Sequence, residues 1–570
     1  MVDRPAVSPL ADWQHPHRIY LGGVVRTMVG AGRATAFAVR DGRFVAVGSD
    51  AEIESLAGPL TASVDLGGRV VLPGFIETHV HPHMSGASSI DVDAGAEACP
   101  DIESLIGALT ARAATSVSGE AVRASGFDDS LVVDDRGLTS ADLDRAAANR
   151  PIVVRHLSGH GVYVNSFVLR AKGIDGDTPD PEGGVIVRDA SGRPTGEFRE
   201  IPAMRLVLDP SETMPPDGEL DDSLRRALVR MASVGVTSFH DMFVTPVMAD
   251  SYRRLHASGE LTLRGRLYAG FGMLDGFALG DSATAEGDDV LSVGGVKLIS
   301  DGSIQLHTGA LSEPYHDLGG CHCGDMAIPP GDLDEMVARC HAAGRQVAIH
   351  TNGDRAIDVA LDAIEKAKAT SGNAPLTPPG PQHRLEHVQT LREDQILRMR
   401  ELGVAASVFV NHVYYWGDRH RDRFLGPHRG SRISPLASIA AADLQFALHC
   451  DSPVTPVDPL FTIHTAVNRV TRGGRVLGPE QRIDAETAVA GYTTSAAVSC
   501  TRRARISDRQ STDLTKECAH EAIVTCPDRN AVHGVDRRDC VAGRVRGRLG
   551  FGNRRLQCHD RPRRQPGRRW

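Results

Sequence analysis

Eight short apolar, β-rich runs punctuate the chain between residues 69 and 451, and helical stretches separate them. They are RVVLPGFIETHVHPH (69–83), GVTSFHD (235–241), RLYAG (266–270), GGVKLIS (294–300), QVAIH (346–350), RLEHV (384–388), GVAASVFV (403–410) and LQFALHCD (444–451). Strands that alternate with helices build a parallel sheet, and eight such units predict an α/β fold closed as a (β/α)8, TIM-like barrel. Five of the eight runs supply the candidate ligand groups: His79 and His81 in the first, Lys297 in the fourth, and His350, His387 and Asp451 at the ends of the fifth, sixth and eighth. Barrel active sites lie at the C-terminal ends of the strands, so these groups are expected to converge on one face.

The spacing also predicts what is added to the barrel. About 150 residues separate the first two runs, and without them the remaining ~270 residues are close to the ~250 of an ordinary barrel. Residues 84–234 are therefore expected to form an inserted α/β lobe over the barrel mouth. It has its own strand, PIVVRHL (151–157), turn signals at 183–193, and helical stretches near 101–115 and 219–233. Ahead of the barrel, AFAVRDGRFVAVG (36–48) alternates apolar and polar residues around Asp41-Gly42, which predicts a hairpin. The expected organisation is a small composite β domain whose N-terminal part is 18–71, a barrel formed by 72–83 and 235–495, the lobe at 84–234, and a separate tail at 501–570.

Composition excludes several classes. With 41% hydrophobic and 24% charged residues in 570, the chain can bury a sizeable core and is not intrinsically disordered as a whole. Ten cysteines are too few for a disulfide scaffold. The first twenty residues hold no apolar run of the signal-peptide kind, and no stretch approaches ~18 apolar residues, so a cytoplasmic location without membrane contact is expected. The net charge of -9 hides a division at residue 500: residues 501–570 hold 17 Arg and one Lys against 8 acidic residues, a net +10, while the first 500 stand at -19. The tail's arginines are interleaved with acids and accompany no nucleic-acid-binding motif, so no nucleic-acid partner is expected.

Chemistry follows from side-chain direction. Residues two apart on a strand point to the same side, so His79 and His81 can face one ion. Asp451 precedes a serine, a pair that also caps helices, but its place at the end of the eighth run among the other candidate ligands favours a role in the site. Glu77 is expected to orient a ligating imidazole, and His83 to be a solvated loop residue. Candidate pocket residues are Asp129, His160, His307, Tyr415 and Trp416, with Tyr414, His156 and Asp301 as weaker neighbours. Cys321-His322-Cys323 lacks a second cysteine pair nearby and is expected to be a loop.

Taken in order, PGFIETHVHPH, GFDDS (126–130), GVTSFHD, GVKLISDGS, IHTNGDRAID, RLEHVQ, YYWGDRHRDRFLGP and LHCDSPVTPVDPL resemble the metal-dependent amidohydrolase superfamily. Within it they are similar to family 3, the type that includes N-substituted formamide deformylase-like proteins, over roughly residues 18–500. The resemblance implies that His79 and His81 bind one divalent metal and that His350 and His387 bind a second, with Lys297 between them as its CO2-derived carbamate; a mononuclear site is the alternative. Asp451 would bind the first metal and take the proton of the attacking water. Imidazole and oxygen ligands favour Zn2+, while also suiting Fe, Ni or Mn. A metal lowers the pKa of water towards ~7 and polarises a carbonyl, which suits hydrolysis of a non-peptide C–N bond in a small-molecule amide, N-formyl amine or cyclic amide. Deaminase or isomerase chemistry of the same superfamily, or a barrel kept as a non-enzymatic scaffold, are the competing readings; homo-oligomerisation is compatible with all of them.

The resemblance stops at residue 500. GYTTSAAVSC (491–500) is family-like and TRRARIS (501–507) is not. Back-translated as ACA CGA CGA GCT CGG ATC AGT and read one base later, TRRARIS becomes His-Asp-Glu-Leu-Gly-Ser, which matches the family's expected ELGS stretch. The expectation is a frameshift near residue 500, a disordered tail, and a small β domain short of partner strands, with weakened stability and impaired catalysis. Resequencing the coding DNA across this point should reveal the shift, and an unambiguous intact frame refutes it.

Overall fold

The eight runs form one parallel sheet whose strands follow chain order: Phe75–Val80, Val236–Val244, Arg264–Ala269, Leu291–Ile299, Gln346–Thr351, Arg384–His387, Ala405–Val408 and Phe446–Leu448. The structure, a computed structural model, describes residues 15–29, 33–117, 119–208, 217–270, 288, 290–370, 383–500 and 524–526. The sheet curls into a nearly closed barrel. Between its first and eighth strands the short link between the helices Ala485–Ala490 and Thr494–Cys500 fills the seam: Ile76 N–H donates to Tyr492 O at 2.8 Å and Leu448 N–H to Gly491 O at 3.0 Å. At the C-terminal end Asp451 N–H donates to His79 O at 3.1 Å and His81 N–H to Ser452 O at 2.9 Å, so the seam closes where the candidate ligands lie.

The strands read as apolar runs because both of their faces are covered. Val347, Ile349, Leu385, Val408 and Leu448 are buried in one continuous core with the helices packed outside. The helix Asp354–Thr370 shows how: Ile357, Leu361 and Ile364 recur at helical spacing on its buried face, while charged residues occupy the other. Among the described residues no helix is long and apolar enough to cross a membrane.

Residues between the first two barrel strands carry a six-stranded mixed sheet with its own apolar clusters around Leu105, Val154 and Tyr163 and around Val162, Ile186 and Phe198. Its strands are Val92–Asp93, Val122–Phe127, Ile152–His156, Gly161–Val164, Val185–Arg188 and Pro194–Arg199. The helix Asp217–Ser233 does not join this packing: Leu224, Leu228 and Met231 enter the barrel core beside Phe75 and Val236.

At the N-terminal end, Ala36–Arg40 and Arg43–Gly48 pair antiparallel across Asp41 (φ 49°) and Gly42 (φ 70°), the left-handed pair that a tight hairpin requires. Arg18–Leu21 joins them in one four-stranded sheet, and Val70–Leu72 lies in a second. In that second sheet Val524–Cys526 pairs antiparallel with Val70–Leu72. The rest of the tail, and with it the expected disorder and shifted frame, lies outside the described residues.

The helix Pro82–Ser88 leaves the first strand directly after His81 and packs on Asp217–Ser233 through Gly86, where an added Cβ would lie 1.8 Å from Ser223 O. Gly86→Ala is expected to lower stability by about 1–3 kcal/mol, read as a shift in the denaturant midpoint at unchanged m-value.

Candidate metal centre

The first barrel strand, fully buried, carries His79 to the centre of the C-terminal face. Its imidazole is held from one side, because Nδ1 lies 2.6 Å from Glu386 Oε2. Nε2 is turned the other way, 3.3 Å from Lys297 Nζ and 3.5 Å from Asp451 Oδ1. His81 Nε2 lies 3.3 Å from the same Asp451 oxygen. His79, His81 and Asp451 thus each offer one ligand atom within 4.8 Å of the others. Asp451 Oδ1 is buried without a hydrogen-bond donor. A desolvated carboxylate oxygen between imidazole nitrogens is a position that a cation satisfies, so the residues present fit a divalent metal.

A second group overlaps it. His79, His387 and His449 also bring nitrogens within 4.8 Å of one another, and His387 Nδ1 lies 3.2 Å from His449 Nε2 and 3.7 Å from Asp451 Oδ2. His350 stands beside them, its ring centroid 4.6 Å from that of His387, with Nε2 3.1 Å from Gly302 O.

Burial sets the charge states. It drives the pKa of His79, His350 and His387 well below the ordinary histidine value and that of His449 down to about 3, so the imidazoles stay neutral with lone pairs available for ligation. It also lowers the Lys297 amine to about 8. Burial opposes the charge on Glu386, but Arg384 and Lys297 outweigh it and hold the carboxyl below its usual range. The backbone is left-handed at His387 (φ 69°), Val388 (φ 42°) and Asp451 (φ 55°), a conformation that non-glycine residues keep only when their surroundings enforce it.

Several expectations meet a different arrangement. Glu77 does not touch an imidazole: Oε1 accepts from the backbone N–H of His79 (3.2 Å) and Cys450 (3.3 Å), Oε2 accepts from Tyr492 OH (3.2 Å), and burial pushes its pKa up to about 8. Glu386 orients the ring instead. His83 is not solvated; it is buried, both ring nitrogens lack a hydrogen-bond partner, and Asp241 Oδ2 lies 3.8 Å away. Asp301 does not line the mouth. Its carboxylate accepts backbone N–H bonds from Ala310, Asn352 and Gly353, and burial raises its pKa to about 7.

A cavity of about 790 Å³ opens above the centre, bounded by the barrel ends and by lobe residues. His160 and Tyr415 line it; Asp129, His307 and Trp416 do not. Trp416 is buried and donates from Nε1 to Asp128 Oδ2 at 2.7 Å, Asp129 faces His156 at 3.5 Å, and His307 Nε2 is 3.0 Å from Asp317. In the Cys321–Cys323 loop, His322 Nε2 bonds His307 O at 2.8 Å, and no potential metal group among the described residues includes these cysteines.

Reading the sequence missed Glu386, His449 and Glu200, which holds His160 at 2.8 Å. For His449 a signal existed, since it stands two residues before Asp451 as His79 stands two before His81.

A barrel whose strand ends gather histidines, a lysine and an aspartate beneath one cavity is the arrangement of a metal-dependent hydrolase. The amidohydrolase family matches residues 62–509, and the chain belongs to that family. It is an enzyme that hydrolyses carbon–nitrogen bonds in small molecules. The N-substituted formamide deformylase of Arthrobacter pascens is 28% identical over 527 residues, covering 90% of this chain and 92% of that protein. The YtcJ protein of Bacillus subtilis (strain 168) is 29% identical, covering 79% of this chain and 83% of its own length. A metal-dependent hydrolase from Pyrococcus horikoshii OT3 shares the fold with a TM-score of 0.68 at 23% identity, covering 90% of this chain and 97% of that one.

Glu386→Gln keeps the shape but weakens the acceptor for His79 Nδ1. Metal affinity, measured by competition with a chromogenic chelator, is expected to fall about 10–100-fold.

Proposed function

We propose that this enzyme hydrolyses the amide bond of N-acyl or N-formyl amines, with cyclic amides as further substrates. The observation that carries the reading is Asp451 Oδ1, buried and undonated between His79 and His81. Similarity to the Arthrobacter pascens protein, whose name specifies a formamide substrate, supports the N-formyl class.

In this reading His79, His81 and Asp451 hold one divalent ion, with Zn2+ favoured by the imidazole and carboxylate donors, and His350 and His387 hold a second. When bound, such ions acidify water for attack and polarise the substrate carbonyl. Lys297, with Nζ 3.3 Å from His79 Nε2, would contribute to holding these ions as its carbamate. Its lowered pKa makes the uncharged amine accessible near neutral pH; that amine forms an N–C bond to CO2 and releases a proton, giving an anion with two oxygens. Arg384 holds Glu386, and Glu386 fixes the His79 tautomer with Nε2 free to ligate. The Asp451 carboxylate takes a proton from the attacking water and delivers it to the leaving nitrogen. Asp451 keeps this position on a left-handed backbone (φ 55°), with Oδ1 3.5 Å from His79 Nε2 and 3.3 Å from His81 Nε2.

Purified protein analysed for metal and assayed on a panel of N-formyl and N-acyl amines is expected to contain a divalent metal and to release amine. Asp451→Asn should lower turnover by at least about 10²-fold while retaining most of the metal. Turnover at the wild-type level by this variant overturns the assignment.

A further inference from the structure

The inserted lobe reaches the centre through His160, in the turn between the strands Ile152–His156 and Gly161–Val164. Glu200 opens the helix Glu200–Val207 directly after the strand Pro194–Arg199. The two residues are joined twice. Glu200 N–H donates to His160 O at 2.8 Å, and its Oε2 lies 2.8 Å from His160 Nδ1. With Nδ1 committed to the carboxylate, the other ring nitrogen of His160 is left for the cavity that the residue lines.

The barrel meets this pair closely. The His160 and His350 ring centroids are 5.0 Å apart. Gly302, whose carbonyl lies 3.1 Å from His350 Nε2, also backs Glu200: an added Cβ there would sit 2.2 Å from Glu200 Oε1. Glutamate adopts φ 66° at position 200, a left-handed conformation unfavourable for its side chain. Its Oε1 is buried without a hydrogen-bond partner. A helix-capping role does not account for this, because the Glu200 carboxylate turns away to His160 and the N-cap residue of that helix makes no side-chain cap bond. Backbone strain, an undonated carboxylate oxygen and a glycine cradle all act to hold one imidazole over the metal centre.

We infer that His160 is a catalytic residue that hydrogen-bonds the reacting amide group of the substrate through Nε2, and that Glu200 is the positioning residue that holds it there. The inference rests on the hydrolase reading above for the identity of the reacting group. It makes the inserted lobe part of the catalytic apparatus: a substrate amide seated over His79 and Asp451 is contacted by the barrel from below and by His160 from the lobe side.

The test uses the full chain loaded with Co2+ and acetohydroxamate as an amide-shaped probe, whose binding is read from the visible spectrum without turnover. His160→Gln is expected to retain full metal content, to bind acetohydroxamate at least about 10-fold more weakly, and to lose kcat by about 10²-fold with a smaller change in KM. Glu200→Gln keeps an acceptor for Nδ1 and should retain more probe affinity than Glu200→Ala. Gly302→Ala, whose added Cβ would lie 2.2 Å from both Glu200 Oε1 and Thr308 Oγ1, should weaken the probe in the same direction. Wild-type probe affinity in His160→Gln, or loss of metal from it, overturns the inference, as do equal affinities in the two Glu200 variants. Should the wild-type protein hydrolyse none of the amides while His160→Gln still weakens the probe, the reaction assignment fails and the His160 contact stands.

Discussion

A buried ionic chain through the barrel, from Arg384 to Glu386 to His79, is the constraint around which the rest of the centre is arranged. Arg384 Nε donates to Glu386 Oε1 at 2.5 Å, Arg384 Nη2 to Thr78 O at 3.0 Å, and Glu386 Oε2 meets His79 Nδ1 at 2.6 Å. Arg384 and Glu386 have no exposed side-chain surface. Removing one partner from such a pair leaves an uncompensated buried charge, at a cost of about 3–5 kcal/mol, so the chain persists only complete. It ties the first and sixth strands together and leaves His79 Nε2 as the one ring nitrogen facing the cavity.

The surrounding groups follow from that requirement. Desolvation keeps the clustered imidazoles neutral, which allows several to stand in contact without mutual repulsion. The same desolvation leaves Asp451 Oδ1 without a donor. Neutral nitrogens and an undonated carboxylate oxygen together suit a cation more than a proton, and the left-handed residues at His387 and Asp451 hold them in place. The inserted lobe repeats the device on a smaller scale, with Glu200 doing for His160 what Glu386 does for His79.

Much of the barrel could be read from periodicity, because strands buried on both faces must be apolar and end where the loops begin. The histidines and Asp451 were visible because they stand at those ends. Glu386 was not: a single carboxylate inside RLEHV looks like a neighbour of His387, and only the barrel's curvature brings it to His79, 307 positions earlier in the chain. Glu77 misled for the opposite reason. Two residues before His79 it shares that residue's side of the strand, yet the seam with the eighth strand draws its carboxylate to backbone amides and Tyr492. Trp416 sits in the YYWGDRH motif and His307 just beyond the strand that carries Lys297, positions that suggest a pocket, while packing turns them to Asp128 and Asp317.

By itself the sequence determined the alternation of strands and helices, the positions of the ligand-type residues at strand ends, and the family. These are local properties: hydrophobic period, turn chemistry and the order of motifs along one chain. Which carboxylate orients which imidazole, which oxygen is left without a donor, and which lobe residue reaches the cavity were decided only by the tertiary structure. Those pairings join residues as much as 372 positions apart, as for His79 and Asp451, and they depend on where desolvation leaves a charge or a lone pair without water, a quantity that exists only once the chain has closed around it.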